Sequence, residues 1–289
     1  MTVRETLAVA AARLREAGSD SPELDAEVLL GHVMGRGRAG VIARRPDALG
    51  PQHAAAFAEL VARRLRREPV SLLLGCREFR SLSFVVDADV LAPRPETELL
   101  VEAALVQIDA GARRVADVGT GSGAIAISLA TECAEVTGLR LLAVDLSAAA
   151  LGVARRNAAR LLPAGAAVGF FRGSLLEAVR HASLDLVVSN PPYLSAAELA
   201  AAPPELAFEP ELALLGGDLD GLGVFRDLVV AARRVLCPEG GLLVEIGATQ
   251  GEAAARVAQE EGFGAVEVLP DLAGRDRVLQ ARAPKAERS

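Results

Sequence analysis

Residues 189–193 read SNPPY and follow the apolar run LDLVV. Pro191 and Pro192 cannot donate to a sheet ladder, so a strand through LDLVV has to stop before them. Asn190 then stands at the mouth of a strand, close to the chain's only tyrosine, Tyr193. An Asn side-chain oxygen and the carbonyl of Pro191 can accept the two N–H bonds of a planar amide or exocyclic amine and so fix its plane. Such a nitrogen is conjugated and nucleophilically weak, so a site must orient it toward an electrophile rather than deprotonate it. On attack at a methyl group the nitrogen becomes transiently cationic, and two acceptor oxygens stabilise that charge as it develops. Tyr193 offers a flat face to the planar group, while the two prolines stiffen the loop.

A second stretch, DVGTGSGAIA (residues 117–126), has the form of a strand-to-helix turn. Gly119, Gly121 and Gly123, with Thr120 and Ser122 between them, let backbone approach a ligand without Cβ clashes. Asp145 closes the next apolar run, LLAVD, 22 positions after Gly123. A carboxylate there can accept both hydroxyls of an adenosine ribose. These features indicate a nucleoside cofactor and leave both NAD and S-adenosylmethionine open. A pyrophosphate would use the helix N-terminus; a methionine tail would want an acid near its ammonium group, and Asp117 favours the latter.

The elements that must position these groups fall into two patterns. Through residue 68 the chain reads as helices: Val3, Leu7, Ala10 and Leu14 share a face, Ser21 is placed to cap and Pro22 to open a second helix, and Pro51 opens a third that ends before Pro69. A helical domain over 1–74 is expected, then a β-hairpin linker over 75–96, where REFRSLSFVVDADVLAPRPE alternates in short β-rich runs. From 97 to 283 strand and helix patterns alternate, with RRVADVG, LRLLAVDL, AVGFFRG, LDLVVSN, GGLLVEIG, AVEVLP and RDRVLQAR as strands. The runs between them read as helices, LLEAVRH included. Such alternation predicts a doubly wound α/β sheet, and a frayed tail is expected over 284–289.

Composition narrows the function. A net charge of −7 argues against nucleic-acid binding, which needs a basic face. Lys285 is the only lysine among 31 basic residues, a coding bias rather than a functional signal. Arg63, Arg64, Arg66 and Arg67 read as a solvated helix face. Cys76, Cys133 and Cys237 are far apart, and His32, His53 and His181 lie outside every motif, so neither a metal site nor a His-based triad is supported. No apolar stretch of membrane-spanning length appears, and the charged N-terminus reads as a mature cytoplasmic start. A monomeric protein is expected.

With DVGTGSGAIAISLA, AVD and SNPPY in order, the chain closely resembles the bacterial peptide chain release factor glutamine N5-methyltransferases, the PrmC/HemK family. The resemblance extends to LDAEVLL, GCREFRSLSFVVDADVLAPRPETE, FEPELALLGGDLDGL, GGLLVEIGATQG and DLAGRDRV, so it covers nearly the whole chain. It implies a seven-stranded Rossmann-like S-adenosyl-L-methionine-dependent methyltransferase domain that methylates the glutamine of the release factor's Gly-Gly-Gln loop and leaves S-adenosyl-L-homocysteine. It also implies that the run Gly119 to Gly123 and Asp145 hold the cofactor. Asn190 would touch both cofactor and substrate, with Pro191, Pro192 and Tyr193 lining the glutamine pocket, and the helical domain and hairpin would grip the protein substrate. One departure concerns RGSLLE: the family commonly has an Asp and a large apolar residue at the adenine, where this chain has Ser174 and Leu175. Ser174 can still hydrogen-bond and Leu175 can still pack on the ring; cofactor affinity is what the change affects. Two rival enzymes share this chemistry, a ribosomal-protein glutamine methyltransferase and an adenine-N6 DNA methyltransferase. The acidic balance disfavours the second. A noncatalytic binding module with the same fold is the reading from outside enzymology.

Overall fold

The computed structural model describes residues 1–285, so the expected tail lies outside the described residues from 286 onward. The described residues divide into two compact units, residues 1–76 with 203–208, and residues 77–202 with 209–285.

The first unit contains α1 (Val3–Glu16), α2 (Pro22–Val33), α3 (Arg38–Ala43), α4 (Pro51–Arg64) and α5 (Val70–Leu74). Thr2 and Glu5 close a reciprocal capping box at the start of α1. Val3, Leu7, Ala10 and Leu14 are buried together against Leu29 and Leu30 of α2 and Phe57 and Val61 of α4. Ser21 stands at the N-cap of α2 without capping it: its hydroxyl donates to Asp25 Oδ1 instead, at 3.0 Å. Asp25 draws that proton because it is buried and also accepts from Arg64 Nε at 2.8 Å.

The arginine cluster corrects the sequence reading. Arg64 is 7 % exposed, and with Arg67 it clasps Glu205 in the Pro204–Phe208 turn of the same unit. A buried guanidinium persists only when carboxylates pair it, and here two do.

β1 (Cys76–Phe79), which enters the second unit at Arg77, and β2 (Leu82–Val85) form a hairpin whose Phe79 and Phe84 rings meet edge to face at 6.2 Å. After α6 (Thr97–Asp109) come β3 (Arg114–Val118), α7 (Ala124–Glu132), β4 (Arg140–Asp145), α8 (Ala148–Leu161), β5 (Val168–Arg172) and β6 (Leu184–Ser189). They are followed by α9 (Ala196–Ala200), α10 (Gly223–Val235), β7 (Leu236–Glu245), α11 (Gly251–Glu260), β8 (Gly264–Pro270) and β9 (Asp276–Arg282). The seven strands β3 to β9 make one sheet in the order β5-β4-β3-β6-β7-β9-β8. It is parallel except at β9, which pairs antiparallel with both neighbours; the short connection 271–275 makes β8 and β9 a hairpin. Alternate residues of each strand feed the two faces. Val115, Leu186 and Val188 pack under α6 and α7 with the hairpin phenylalanines, and Ala116, Val118 and Val187 under α10 and α11.

The helix expected at LLEAVRH does not form. Leu175 takes φ 47°, a left-handed conformation that interrupts helical continuation, and Arg234 Nη1 donates to the Val179 carbonyl from outside at 2.9 Å. The strand order reverses between β3 and β6, which opens a crevice at their carboxyl ends, the place where such sheets bind ligands.

Candidate active site

The register brings the two sequence motifs together. Val118 of β3 pairs with Val144 of β4 on one side and Ser189 of β6 on the other, so the glycine turn, Asp145 and Asn190 all leave the sheet at one level. Gly119 and Thr120 both donate to the Val144 carbonyl, at 2.8 and 3.0 Å, which folds the turn back over β4. Gly119, Gly121 and Gly123 all have positive φ, at 70°, 54° and 83°. Only Gly123 faces protein closely: a Cβ there would stand 2.8 Å from Ile127 Cδ1 and 3.3 Å from Ala154 Cβ.

Asp117 lies beneath the turn, 1 % exposed. Its Oδ2 accepts from Thr120 Oγ1 at 2.6 Å and from the Ala126 amide at 3.1 Å, while Oδ1 is buried without a partner. Burial pushes its carboxyl up to about 7, against the pull of those two bonds and with a further push from the Asp145 charge. Asp145 is half-buried at the end of β4, where Oδ2 accepts from the Gly121 amide and Oδ1 from the Ser147 amide, both at 2.8 Å. Each oxygen keeps a further lone pair for a ligand.

A cavity of about 310 Å³ fills the crevice. Asn190 borders it from the β6 side and Thr97 from the start of α6, and Asn190 Nδ2 donates to Thr97 Oγ1 at 3.1 Å. Glu245, the last residue of β7, leaves the sheet level with Asn190, because Val244 pairs with Ser189. Glu245 is 1 % exposed and its Oε2 has no partner; burial pushes its carboxyl up to about 7, with Arg277 and Arg94 opposing and Glu96 adding to the rise. Burial first, then the Glu245 charge, raises the Tyr193 phenol. Gln250 holds the loop from behind, donating from Nε2 to the carbonyls of Tyr193 and Asp220, each at 3.0 Å. The segment 216–223 packs so tightly here that a Cβ on Gly221 would stand 2.2 Å from the Tyr193 carbonyl oxygen.

Comparison with known proteins decides the family. Residues 5–75 match the family described as PrmC N-terminal domain, and residues 95–203 the methyltransferase small domain. A release factor glutamine methyltransferase of Moorella thermoacetica is 43 % identical over 97 % of this chain and 98 % of its own length. Another, from Cereibacter sphaeroides, is 44 % identical over 99 % of this chain and 100 % of its own. This chain belongs to the release factor glutamine methyltransferase family. A solved methyltransferase from Pyrococcus furiosus, 16 % identical, shares the fold at a TM-score of 0.50, covering 71 % of this chain and 91 % of its own.

For this member of the release factor glutamine methyltransferases, the cavity brings together Gly119, Thr120, Gly121, Ser122, Asp145, Ser174, Leu175, Asn190 and Pro192. The other sequence candidates stand behind that wall: Asp117 under the turn, Gly123 against Ile127 and Ala154, Pro191 buried, and Tyr193 held at its carbonyl by Gln250. Thr97, Glu245 and Gln250 were missed by the residue reading. They sit inside PRPETE and GGLLVEIGATQG, stretches whose family likeness was visible while their place around Asn190 and Tyr193 was not.

Proposed function

We propose that this protein transfers a methyl group from S-adenosyl-L-methionine to the side-chain nitrogen N5 of the glutamine in the Gly-Gly-Gln loop of peptide chain release factors. The observation that carries the proposal is the Asn190 corner: an amide pinned by its nitrogen at the rim of a nucleoside-sized cavity, in a chain of this family.

The residues present fit the cofactor. The partnerless Asp117 Oδ1 is a buried acceptor that an ammonium group beside the turn would satisfy, and Asp145 has lone pairs left for a ribose. Ser174 and Leu175 border the cavity where an adenine would pack, Ser174 offering a hydroxyl and Leu175 apolar surface. The bound cofactor supplies an electrophilic methyl group on a sulfonium, and its loss of that methyl yields S-adenosyl-L-homocysteine. This chain's own residues do the rest. Asn190 Oδ1 and the Pro191 carbonyl take the two amide hydrogens of the glutamine, hold its plane, and stabilise positive charge as the nitrogen lone pair forms its new bond. The surplus proton then passes from the nitrogen to water. Pro192 borders the cavity and stiffens the loop, and Tyr193 stands behind it. The helical unit, residues 1–76 with 203–208, is the part available to grip the rest of the protein substrate.

Incubation with methyl-labelled S-adenosylmethionine and purified release factor tests this directly. Label should enter the factor and fail to enter a Gln→Ala version of its loop. Label on a ribosomal protein or on adenine in duplex DNA, with none on the factor, would overturn the assignment.

A further inference from the structure

Asn157 is the one amide side chain of α8, and it is fully buried. Asn is a weak helix former, and its polar atoms cost free energy when buried unpaired. Here they are paired. Oδ1 accepts from the Val85 amide at 2.7 Å, and Nδ2 donates to the Val85 carbonyl at 3.0 Å and to the Ser122 carbonyl at 2.9 Å. The side chain fits only one way round, because the reverse would set Nδ2 against the Val85 N–H and Oδ1 against two carbonyls.

These three bonds join two parts of the cavity wall. Toward Val85 the side chain behaves as a neighbouring strand, exchanging both bonds with one residue of β2 as an antiparallel partner does. Val85 is the last residue of β2 before 86–96, which forms neither helix nor strand and borders the cavity through Asp89, Val90, Leu91, Pro93 and Arg94. Toward Ser122 the same side chain holds the glycine turn, whose residues Gly119 to Ser122 also border the cavity. Ala154, three positions earlier on α8, fills the space beside Gly123, where an added Cβ would stand 3.3 Å from its own. One face of α8 therefore supports the turn twice, by contact at Ala154 and by hydrogen bond at Asn157.

We infer that Asn157 is a positioning residue for cofactor binding: it ties the glycine turn to the root of the 86–96 segment, so that one buried amide sets these two parts of the wall relative to each other. The inference rests on the reading of the cavity as the S-adenosylmethionine site. The tie is reciprocal: a ligand that fixes the turn also steadies Val85, and a loosened Val85 weakens the ligand. A second contact from α8, Arg156 Nη2 to Asp87 Oδ2 at 2.6 Å, reaches the segment and not the turn. It joins two exposed side chains, where water screens the attraction and leaves it little weight.

Asn157→Leu keeps nearly the same shape and makes none of the three bonds. Its Kd for S-adenosylmethionine in calorimetry should rise by about tenfold or more, the fold-change carried by one net hydrogen bond. The kcat with both substrates saturating should fall by less than about threefold, because the loss is one of binding. Arg156→Ala should leave the Kd within about twofold of wild type. Hydrogen exchange reads the tie itself. Val85 does not border the cavity, yet its amide should exchange more slowly in wild type with S-adenosylmethionine bound than without. Without ligand, Asn157→Leu should quicken exchange of the Val85, Gly121 and Gly123 amides by more than that of Val187 in β6, which reports on the whole fold. A Kd within twofold of wild type in Asn157→Leu, an equal loss of affinity in Arg156→Ala, or a Val85 amide indifferent to the cofactor in wild type would overturn the inference. The last decides it even where Asn157→Leu fails to fold. Wild-type protein that binds no S-adenosylmethionine would instead overturn the reading of the cavity, and the ligand-free exchange rates would still decide whether Asn157 ties the turn to β2.

Discussion

Gly123→Ala should destabilise the fold more than it weakens cofactor binding, whereas Gly121→Ala should do the reverse. Both residues have positive φ, so an added Cβ costs each about 1–2 kcal/mol of backbone strain. At Gly121 nothing else follows, because no heavy atom lies within 4 Å of the new Cβ. At Gly123 the Cβ meets Ile127 Cδ1 at 2.8 Å and Ala154 Cβ at 3.3 Å. Ile127 is fully buried and cannot swing clear, and Ala154 has no rotamer to change. Overpacking of this kind adds about 1–3 kcal/mol, for a total of about 2–5 kcal/mol. At about 2–4 °C per kcal/mol, Gly123→Ala should melt roughly 4–20 °C below wild type, with Gly121→Ala shifted by about half as much or less. Gly121 borders the cavity and gives its amide to Asp145, so its substitution should show mainly in the Kd for S-adenosylmethionine. Thermal unfolding followed by circular dichroism, with calorimetric titration of the cofactor, measures both quantities. Equal losses of Tm in the two variants would refute the separation of roles.

Asp145→Ala removes the acceptor of two backbone amides as well as the proposed ribose contact, so it should weaken S-adenosylmethionine binding by more than tenfold, at about 1.5–3 kcal/mol per bond to a charged acceptor. Asp145→Asn, which keeps one acceptor oxygen, should fall between; an unchanged Kd in calorimetry would remove Asp145 from the site. Asp117 predicts a pH dependence of stability. Its folded value, about 7, lies above the unfolded carboxylate value of about 3.9, so its contribution is full below the unfolded value and is lost as pH rises through the folded one. The urea midpoint of the wild type should therefore fall between about pH 4 and pH 7, and less so in Asp117→Asn. Asp220 and Asp271, held near 2 by their arginine and backbone partners, act only below that window. A midpoint slope identical in the two proteins would show that Asp117 is ionised throughout.

Much of this was legible in the chain because its signals are local. A strand that ends in two prolines, a turn of three alternating glycines and an acid at the end of the next strand each state their own geometry, and the βα alternation places all three at one sheet edge. What the sequence hid depends on register and on distant partners. Glu245 is one apolar strand's last residue until Val244 is known to pair with Ser189. Thr97 looks like the first turn of a helix until Asn190 is seen to donate to it, 93 residues later. Arg64 looked solvated because one of the carboxylates that bury it, Glu205, lies 141 positions along. The three glycines looked alike because only packing shows that Gly123 alone abuts a helix. The turn at 174–179 was misread for the same reason: Arg234 of α10 satisfies a carbonyl that a helix would have used.

The central claim is that Asn190 works by orienting the substrate nitrogen and stabilising its developing charge. Single-turnover methyl transfer to the release factor by Asn190→Ala, with cofactor and factor both saturating, tests it most directly. The account predicts a rate lower than wild type by about 10²–10³, as for loss of one hydrogen-bond partner at a charge-developing atom, with the affinity for the release factor retained. A near-normal single-turnover rate in Asn190→Ala would contradict it.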